Sequence, residues 1–380
     1  MNEFRENSKK QNYEIPKETR KEQGIYFTPK IIRTKLINSI NFEPKLILEP
    51  SFGSGEFIQD CLETWKNSKI YGVEFNKKLY ESVLDNDRLV KFNCDFLKWS
   101  SNIKFDLIIG NPPYFLTNIK NKNCMKGRGN IFVLFIYKCL TEHLTEGGCL
   151  SFVIPTSFYN CSYYEPCRNY IRNNYSITYT DNCDSGNFYE TSQDTMILTI
   201  KNEKSLSNPF FTMGSYINPK YIEIEEFLKG STNLKDLGWT VKTGDVVWNQ
   251  HKSQLDDNEG TIVIYTTNII NNKIVLHNLK GCEKKQMIKD FNRDPNTGPT
   301  FLVSRGYGNR YQFVWAFTDD LEFHGENHIN VIKPVNAQSL VHIERIKNSF
   351  KSEKTIKFIE YFFGNGAISK TEMETIFPIF

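Results

Sequence analysis

Asn111-Pro112-Pro113-Tyr114 sets an amide, two prolines and an aromatic ring directly behind the apolar run Phe105 to Gly110. Tandem prolines fix φ and have no N–H to donate, so the backbone there is stiff and its carbonyls stay available as acceptors. The amide before this corner and the ring after it make a compact site for hydrogen bonding and stacking. Three further strand-like runs end in acids: Leu46-Ile47-Leu48-Glu49, Ile70-Tyr71-Gly72-Val73-Glu74, and Leu89 to Cys94 followed by Asp95-Phe96. A solvated acid after one strand is commonplace. Four polar groups at successive strand ends, with the glycine-bearing turn Ser51-Phe52-Gly53-Ser54-Gly55 after the first, form a ligand pocket at the sheet edge where open α/β sheets bind. Glu74 falls about 20 residues past that turn, the spacing at which nucleotide-binding folds place an acid on ribose hydroxyls. The turn is not a P-loop, and it stops at its second glycine where a dinucleotide fingerprint continues. An acid-rich pocket suits a cationic, phosphate-free nucleoside better than a pyrophosphate.

The elements that must position these groups follow from periodicity. Phe105 to Gly110 reads as a buried parallel strand with β-branched residues, stopped by the prolines. In Gly24-Ile25-Tyr26-Phe27-Thr28-Pro29, Thr28 resembles an N-cap with proline at the first helical position, followed by Ile31, Ile32, Leu36, Ile37 and Ile40 at helical spacing. That pattern serves a plain helix start as well as a ligand contact. An apolar helix over Ile131–Leu144, a turn at Gly147-Gly148, a fifth strand over Cys149–Ile154, and strands at Ile177–Thr180 and Thr195–Ile200 complete the rhythm. Strand alternating with helix predicts a doubly wound, mostly parallel sheet in an α/β domain over 23–203. The polar stretch Lys201–Pro209 marks a boundary, and beyond it, over 210–380, the rhythm is lost. Strands are predicted at Val241–Trp248, Thr261–Tyr265, Thr300–Val303 and Phe313–Phe317. The loops between them carry Asn249, Gln250, His251, Lys252, Arg305, Tyr307, Asn309 and Arg310, types that touch phosphates and base edges but also suit a solvated surface.

The 380 residues suit two domains, and a formal net charge of +3 is compatible with a nucleic-acid partner without arguing for one. The nine cysteines include no C-x-x-C pair, so they read as small core residues of a reduced, intracellular protein. Residues 1–22 mix both charge signs without an apolar stretch and are expected to form a flexible arm. Ile131–Leu140 is too short to span a bilayer, so a soluble protein is expected, without a membrane partner.

In this order the segments resemble the gamma class of N6-adenine DNA methyltransferases, the Taq-type enzymes. Gly24–Pro29 is similar to the motif preceding the glycine turn. Glu49–Gly55 is similar to the cofactor loop, and Glu74 and Asp95-Phe96 to the next two cofactor contacts. Asn111–Tyr114 matches the catalytic motif, and Leu144–Phe158 resembles the structural motif after it. The resemblance covers about Gly24 to Ile200, and less specifically Val241–Lys252 and Lys370–Ile379. It implies a class I methyltransferase sheet of seven strands with a C-terminal mixed α+β target-recognition domain. S-adenosylmethionine is the implied cofactor, held by Thr28, Glu49, Ser51, Gly53, Gly55, Glu74, Phe75, Asp95, Phe96, Asn111 and Pro113. Asn111, Pro112 and Tyr114 are implied to be catalytic, and no metal is expected. Phe188, Tyr114, Asn249, Lys252, Arg305 and Arg310 are expected to meet the DNA.

The implied substrate is an adenine in double-stranded DNA at a specific site. It would be flipped out of the duplex, because a stacked base is out of reach. The enzyme would act as a monomer, with a cognate restriction endonuclease acting separately; no nuclease constellation is read in this chain. Protein-glutamine and RNA-adenine methyltransferases share the asparagine-proline-proline-tyrosine motif and stand as the alternative. A catalytically silent DNA-binding module is a third reading. Pro166-Cys167 resembles a cytosine-methyltransferase nucleophile pair but is followed by Arg168, which favours a core or surface thiol. His324 and His328 have helical metal-ligand spacing but lack the carboxylate of H-E-x-x-H.

Overall fold

The computed structural model describes residues 4–127, 129–183, 194–204, 208–212, 215–276, 283–306, 313–362 and 368–380. Two compact units are formed, Met1–Tyr221 and Ile222–Phe380.

The first unit is built on strands β1 (Leu46–Glu49), β2 (Lys69–Glu74), β3 (Leu89–Asn93), β4 (Phe105–Gly110), β5 (Leu144–Pro155), β6 (Ser176–Cys183) and β7 (Thr195–Lys201). They form one seven-stranded sheet in the order β3-β2-β1-β4-β5-β7-β6. The β1–β2, β2–β3, β1–β4 and β4–β5 pairs are parallel, and β7 runs antiparallel to β5 and β6. This is the class I methyltransferase sheet. The order reverses between β1 and β4, whose register sets Ile47 beside Leu107 and Leu48 beside Ile108. Glu49 and Asn111 therefore flank the switch point where such sheets open to ligands.

Both sheet faces are covered, which is why the strands read as apolar runs. Leu48, Val73 and Ile108 face α6 (Phe132–Lys138) and α7 (Glu165–Asn174). Ile47, Ile70, Leu107 and Ile109 face α3 (Lys30–Asn38) and α4 (Glu56–Thr64). The apolar helix expected to reach Leu144 ends earlier, closing with one wide turn over Cys139–His143.

Two expectations are corrected here. Residues 1–22 were expected to be a flexible arm, but they carry α1 (Glu6–Glu14) and most of α2 (Lys17–Gln23). Phe4 and Ile15 cluster with Phe27 and with Leu79 of α5 (Lys77–Ser82). The charges that read as solvated have partners far along the chain: Arg5 pairs with Asp60 and Glu63, and Lys78 with Glu14. The boundary also lies later than Lys201–Pro209. Asn208 hydrogen-bonds Ile177 N and Tyr175 O, Arg168 Nε donates to Ser215 O at 2.8 Å, and Ile217 is buried in the core. The polar stretch thus belongs to the first unit, which ends after the short hairpin of β8 (Phe211–Thr212) and β9 (Tyr216–Ile217).

The second unit is mixed α+β. One four-stranded sheet joins β10 (Trp239–Thr243), β16 (Thr300–Ser304), β17 (Trp315–Thr318) and β19 (Ile329–Pro334), and a second joins β11 (Leu255–Asp256), β12 (Thr261–Ile264), β15 (Met287–Ile288) and β18 (Phe323–Gly325). A two-stranded piece pairs β13 (Ile269–Ile270) with β14 (Lys273–Ile274). Helix α8 (Tyr221–Leu228) begins at the boundary, and α9 (Ile343–Lys351), α10 (Glu353–Phe362) and α11 (Lys370–Thr375) follow the strands. The strand expected through Trp248 stops at Thr243, because Gly244 passes against Glu326: a Cβ there would sit 2.2 Å from the Glu326 carbonyl oxygen. Among the described residues no helix is long and apolar enough to cross a membrane.

Candidate active site

The corner after β4 is held by the segment Gly24–Thr28. Asn111 Nδ2 donates to the Tyr26 carbonyl at 3.2 Å and to Thr28 Oγ1 at 3.0 Å. Both N–H bonds of the amide are engaged, so its orientation is set and its oxygen faces the other way. Asn111 Oδ1 accepts from the Tyr114 hydroxyl, which also lies 2.7 Å from the Val153 carbonyl of β5. Burial pushes the Tyr114 hydroxyl pKa well up, which keeps it a donor. The Tyr114 ring lies near parallel to Tyr26, with centroids 6.2 Å apart, and edge-on to Phe132. Gly24 is fixed twice over. Its φ is +64°, and a Cβ there would sit 2.7 Å from Tyr114 N and 2.9 Å from Pro113 Cβ. Pro112 is buried and Pro113 half-buried.

The acids at neighbouring strand ends differ in how they are used. Glu49 is 2% exposed, and its Oε2 has no hydrogen-bond partner among the described residues. Burial, then the nearby Glu74 and Asp60 charges, push its carboxyl well above the usual range. A buried carboxyl oxygen with no donor is able to receive a polar or cationic ligand. Glu74 Oε2 accepts from Gly53 N and Oε1 from Asn76 N, both at 2.7 Å. Burial raises its pKa, and these backbone donors oppose the rise. Glu74 thereby ties the glycine loop to β2, with lone pairs left for a ligand. Gly53 and Gly55 have φ of +54° and +80°, and a Cβ on Gly55 would press on Val83. Ser51 Oγ lies 3.5 Å from the Asn111 carbonyl. Asp95 is half-buried and accepts from Leu97 N at 3.0 Å. Phe75 is 66% exposed beside Glu74, whereas the Phe96 ring packs in the core against Phe135 and Trp99. The cofactor contact expected of Phe96 is thus not open to its side chain. Tyr26 and Arg33 are site residues that the sequence did not single out. Tyr26 contributes through its carbonyl, which no residue-type pattern reports. Arg33 stood among the apolar positions of α3, a signal that an arginine there is buried and paired.

The family model described as Eco57I restriction-modification methylase matches residues 27–189, the span that contains this corner. The type II methyltransferase M.CvrRI of Paramecium bursaria Chlorella virus XZ-6E is 30% identical over 389 residues, covering 99% of each chain. The chain belongs to the type II restriction–modification methylases. The modification methylase CviBIII of Paramecium bursaria Chlorella virus NC1A is 33% identical over 387 residues, 96% of each chain. The type II methyltransferase M.AccI of Acinetobacter calcoaceticus is 29% identical over 177 residues, 41% of this chain and 32% of that protein. This methylase is a DNA methyltransferase, and its cofactor is S-adenosylmethionine, the methyl donor that fits a methylase on this sheet. The residues present fit that cofactor: glycines where the backbone must approach it, and a buried Glu49 oxygen without a donor.

Phe188 and Arg310 lie outside the described residues. Asn249 is exposed. Lys252 pairs with Glu283 and lies over the Trp248 ring, as does Lys284. Arg305 is half-buried and braces a turn, Nη1 donating to the Asn327 carbonyl at 3.1 Å. His324 and His328 are not helical: one lies in β18 facing Asp245, and the other pairs with Glu326 in the next turn. Cys167 is fully buried in the core of α7, and burial pushes its thiol pKa well up.

Proposed function

We propose that this methylase transfers a methyl group to the N6 amine of an adenine flipped out of a specific duplex site. An exocyclic adenine amine is a poor nucleophile because its lone pair is delocalised into the ring. Two acceptors on its hydrogens favour a pyramidal nitrogen with the lone pair exposed. The observation that carries the reading is the Asn111 amide: both its N–H bonds are engaged by Tyr26 and Thr28, which turns its oxygen to the acceptor role. That oxygen has two lone pairs, so it can accept a target N–H alongside the Tyr114 hydroxyl. The Pro112 carbonyl is the second acceptor, held by the fixed φ of the prolines. The Tyr114 ring supplies a stacking face, and Phe188 packs beside the base. S-adenosylmethionine, when bound, presents a sulfonium methyl that leaves without a metal or a covalent enzyme intermediate. On its side of the corner, Glu74 would accept from the ribose hydroxyls and Asp95 from the cofactor's adenine amine, with Phe75 beside the ring. Glu49, Ser51 and Thr28 would hold the methionine end, and a Glu49 carboxylate would offset its positive charge. Holding amine and methyl together supplies the proximity term.

The second unit reads sequence and holds phosphates through Asn249, Lys252, Arg305 and Arg310. The methylase acts as a monomer on DNA beside a separate cognate endonuclease. Tritiated-methyl transfer to DNA, RNA and protein tests the proposal. Label is expected in duplex DNA, and label confined to RNA or protein would overturn it.

A further inference from the structure

Arg33 is 1% exposed, and its guanidinium links α4 to the Asn111 corner. Its Nε donates to Asp60 Oδ2 at 2.5 Å, and its Nη1 meets Glu56, one helical turn earlier on α4. The same Nη1 donates to the Thr28 carbonyl. That carbonyl stands outside the α3 ladder, because Ile32 N and Arg33 N both turn to the Pro29 carbonyl instead. Thr28 Oγ1 in turn accepts from Asn111 Nδ2 at 3.0 Å. A continuous path therefore runs from the two α4 acids through Arg33 to Thr28, and from the Thr28 hydroxyl to the amide.

We propose that Arg33 is a positioning residue that orients the Asn111 amide by fixing Thr28. The inference rests on the role assigned to Asn111. An amide turned about its own axis offers N–H bonds where the target amine needs an acceptor, and that arrangement repels the substrate. Tyr26 alone supplies one acceptor for Nδ2. Thr28 supplies the second, and Thr28 stays in place because its carbonyl is gripped by a buried, charge-compensated fork. Stability alone gives no reason for this arrangement, since well-packed apolar residues often replace a buried ion cluster without loss. Lysine at position 33 would keep the charge opposite Glu56 and Asp60 but lose the fork that also reaches the carbonyl.

The test is single-turnover methyl transfer to duplex DNA by Arg33→Lys, Thr28→Val and the double variant, at saturating cofactor, with KM and melting temperature measured alongside. Arg33→Lys is expected to lower the transfer rate about tenfold, the size of one lost hydrogen bond to a charged group, with KM for DNA within about twofold. In the Thr28→Val background the same change should cost little more in rate, while the two losses of melting temperature add. An unchanged rate in Arg33→Lys, or rate losses that multiply in the double variant, would overturn the inference. Should Arg33→Lys not fold, Asp60→Asn loosens the same guanidinium without removing it, and the same comparison with Thr28→Val decides. The wild-type product is identified separately by nucleoside analysis. A product other than N6-methyladenine counts against the adenine reading, whereas the variant rates count for or against Arg33 with any exocyclic amine.

Discussion

In the first unit, Glu49, Glu74, Asp95 and Asn111 stand at or just past the carboxyl ends of four adjacent parallel strands, ordered β1, β2, β3 and β4 in sequence. In the second, comparable polar residues close loops onto themselves. Asn268 Oδ1 accepts from Tyr265 N, its Nδ2 donates to the Val275 carbonyl, and Gln254 Nε2 donates to Asp290 O at 2.8 Å. Parallel register delivers strand ends to one edge whatever their side chains, so polar residues there are free to serve a ligand. Short sheets joined by long loops have no such edge, and side chains must supply the hydrogen bonds that the ladders lack. The contrast predicts that changes in the first unit alter the rate of transfer, and changes in the second alter the grip on DNA.

Five substitutions break or sharpen that contrast, taken from the largest effect down. Asn111→Ala should lower the methyl-transfer rate by about 10²–10³-fold or more, the size of a lost preorganised electrostatic contact, while equilibrium cofactor binding stays within a few-fold. Retained turnover would contradict the role given to Asn111. Gly24→Ala combines a left-handed φ with a 2.7 Å approach to Tyr114 N, so the corner must shift. A displacement near 1 Å costs up to about 100-fold in rate. Gly147→Ala, at φ +73° with nothing within 4 Å of its Cβ and away from the cofactor loop, meets only the backbone term and should lose far less. Equal losses in the two alanine variants would mean that backbone strain, not the packing against Tyr114, governs the corner.

Glu49→Gln isolates the buried acid. The folded carboxyl has a pKa raised well above the usual 4.5, so the native state binds its proton more tightly than the unfolded chain does. Its contribution is complete below the unfolded value and is lost as pH rises through the folded one. The always-neutral glutamine should therefore gain melting temperature relative to wild type as pH is raised from about 5 to about 8 without cofactor. A gap that stays constant over that range would contradict the assignment. The same variant should bind cofactor more weakly, which titration calorimetry reads directly. The smallest effect belongs to the second unit. Lys252→Ala should reduce the salt dependence of DNA affinity by about one unit of slope, with the saturated transfer rate unchanged. An unaltered slope would remove Lys252 from the phosphate contacts.

The sheet was legible because its strands are apolar on both faces, and the corner because Asn111 to Tyr114 follows such a strand directly. The helices of residues 4–23 were not, since their stabilising partners are Asp60, Glu63 and Leu79, more than 50 residues away. Local composition reports charge, not where its counterion stands. The same blindness placed the boundary at the polar run 201–209, although Asn208 and Ser215 satisfy main-chain and arginine groups of the first unit. Phe96 followed Asp95 in sequence, but the residue after a strand-end acid points back into the core as readily as out. In the second unit, residue type alone did not separate Arg305, which braces a turn, from Asn249, which is exposed.

The most direct measurement is the identity of the methylated base. DNA treated with the wild-type protein and methyl-labelled S-adenosylmethionine is digested to nucleosides and resolved. An Asn111 amide held as an acceptor beside a rigid Pro112 carbonyl, with Tyr114 as the stacking face, predicts that all the label elutes as N6-methyladenosine of the deoxy series. Label in N4-methylcytosine or 5-methylcytosine would contradict it.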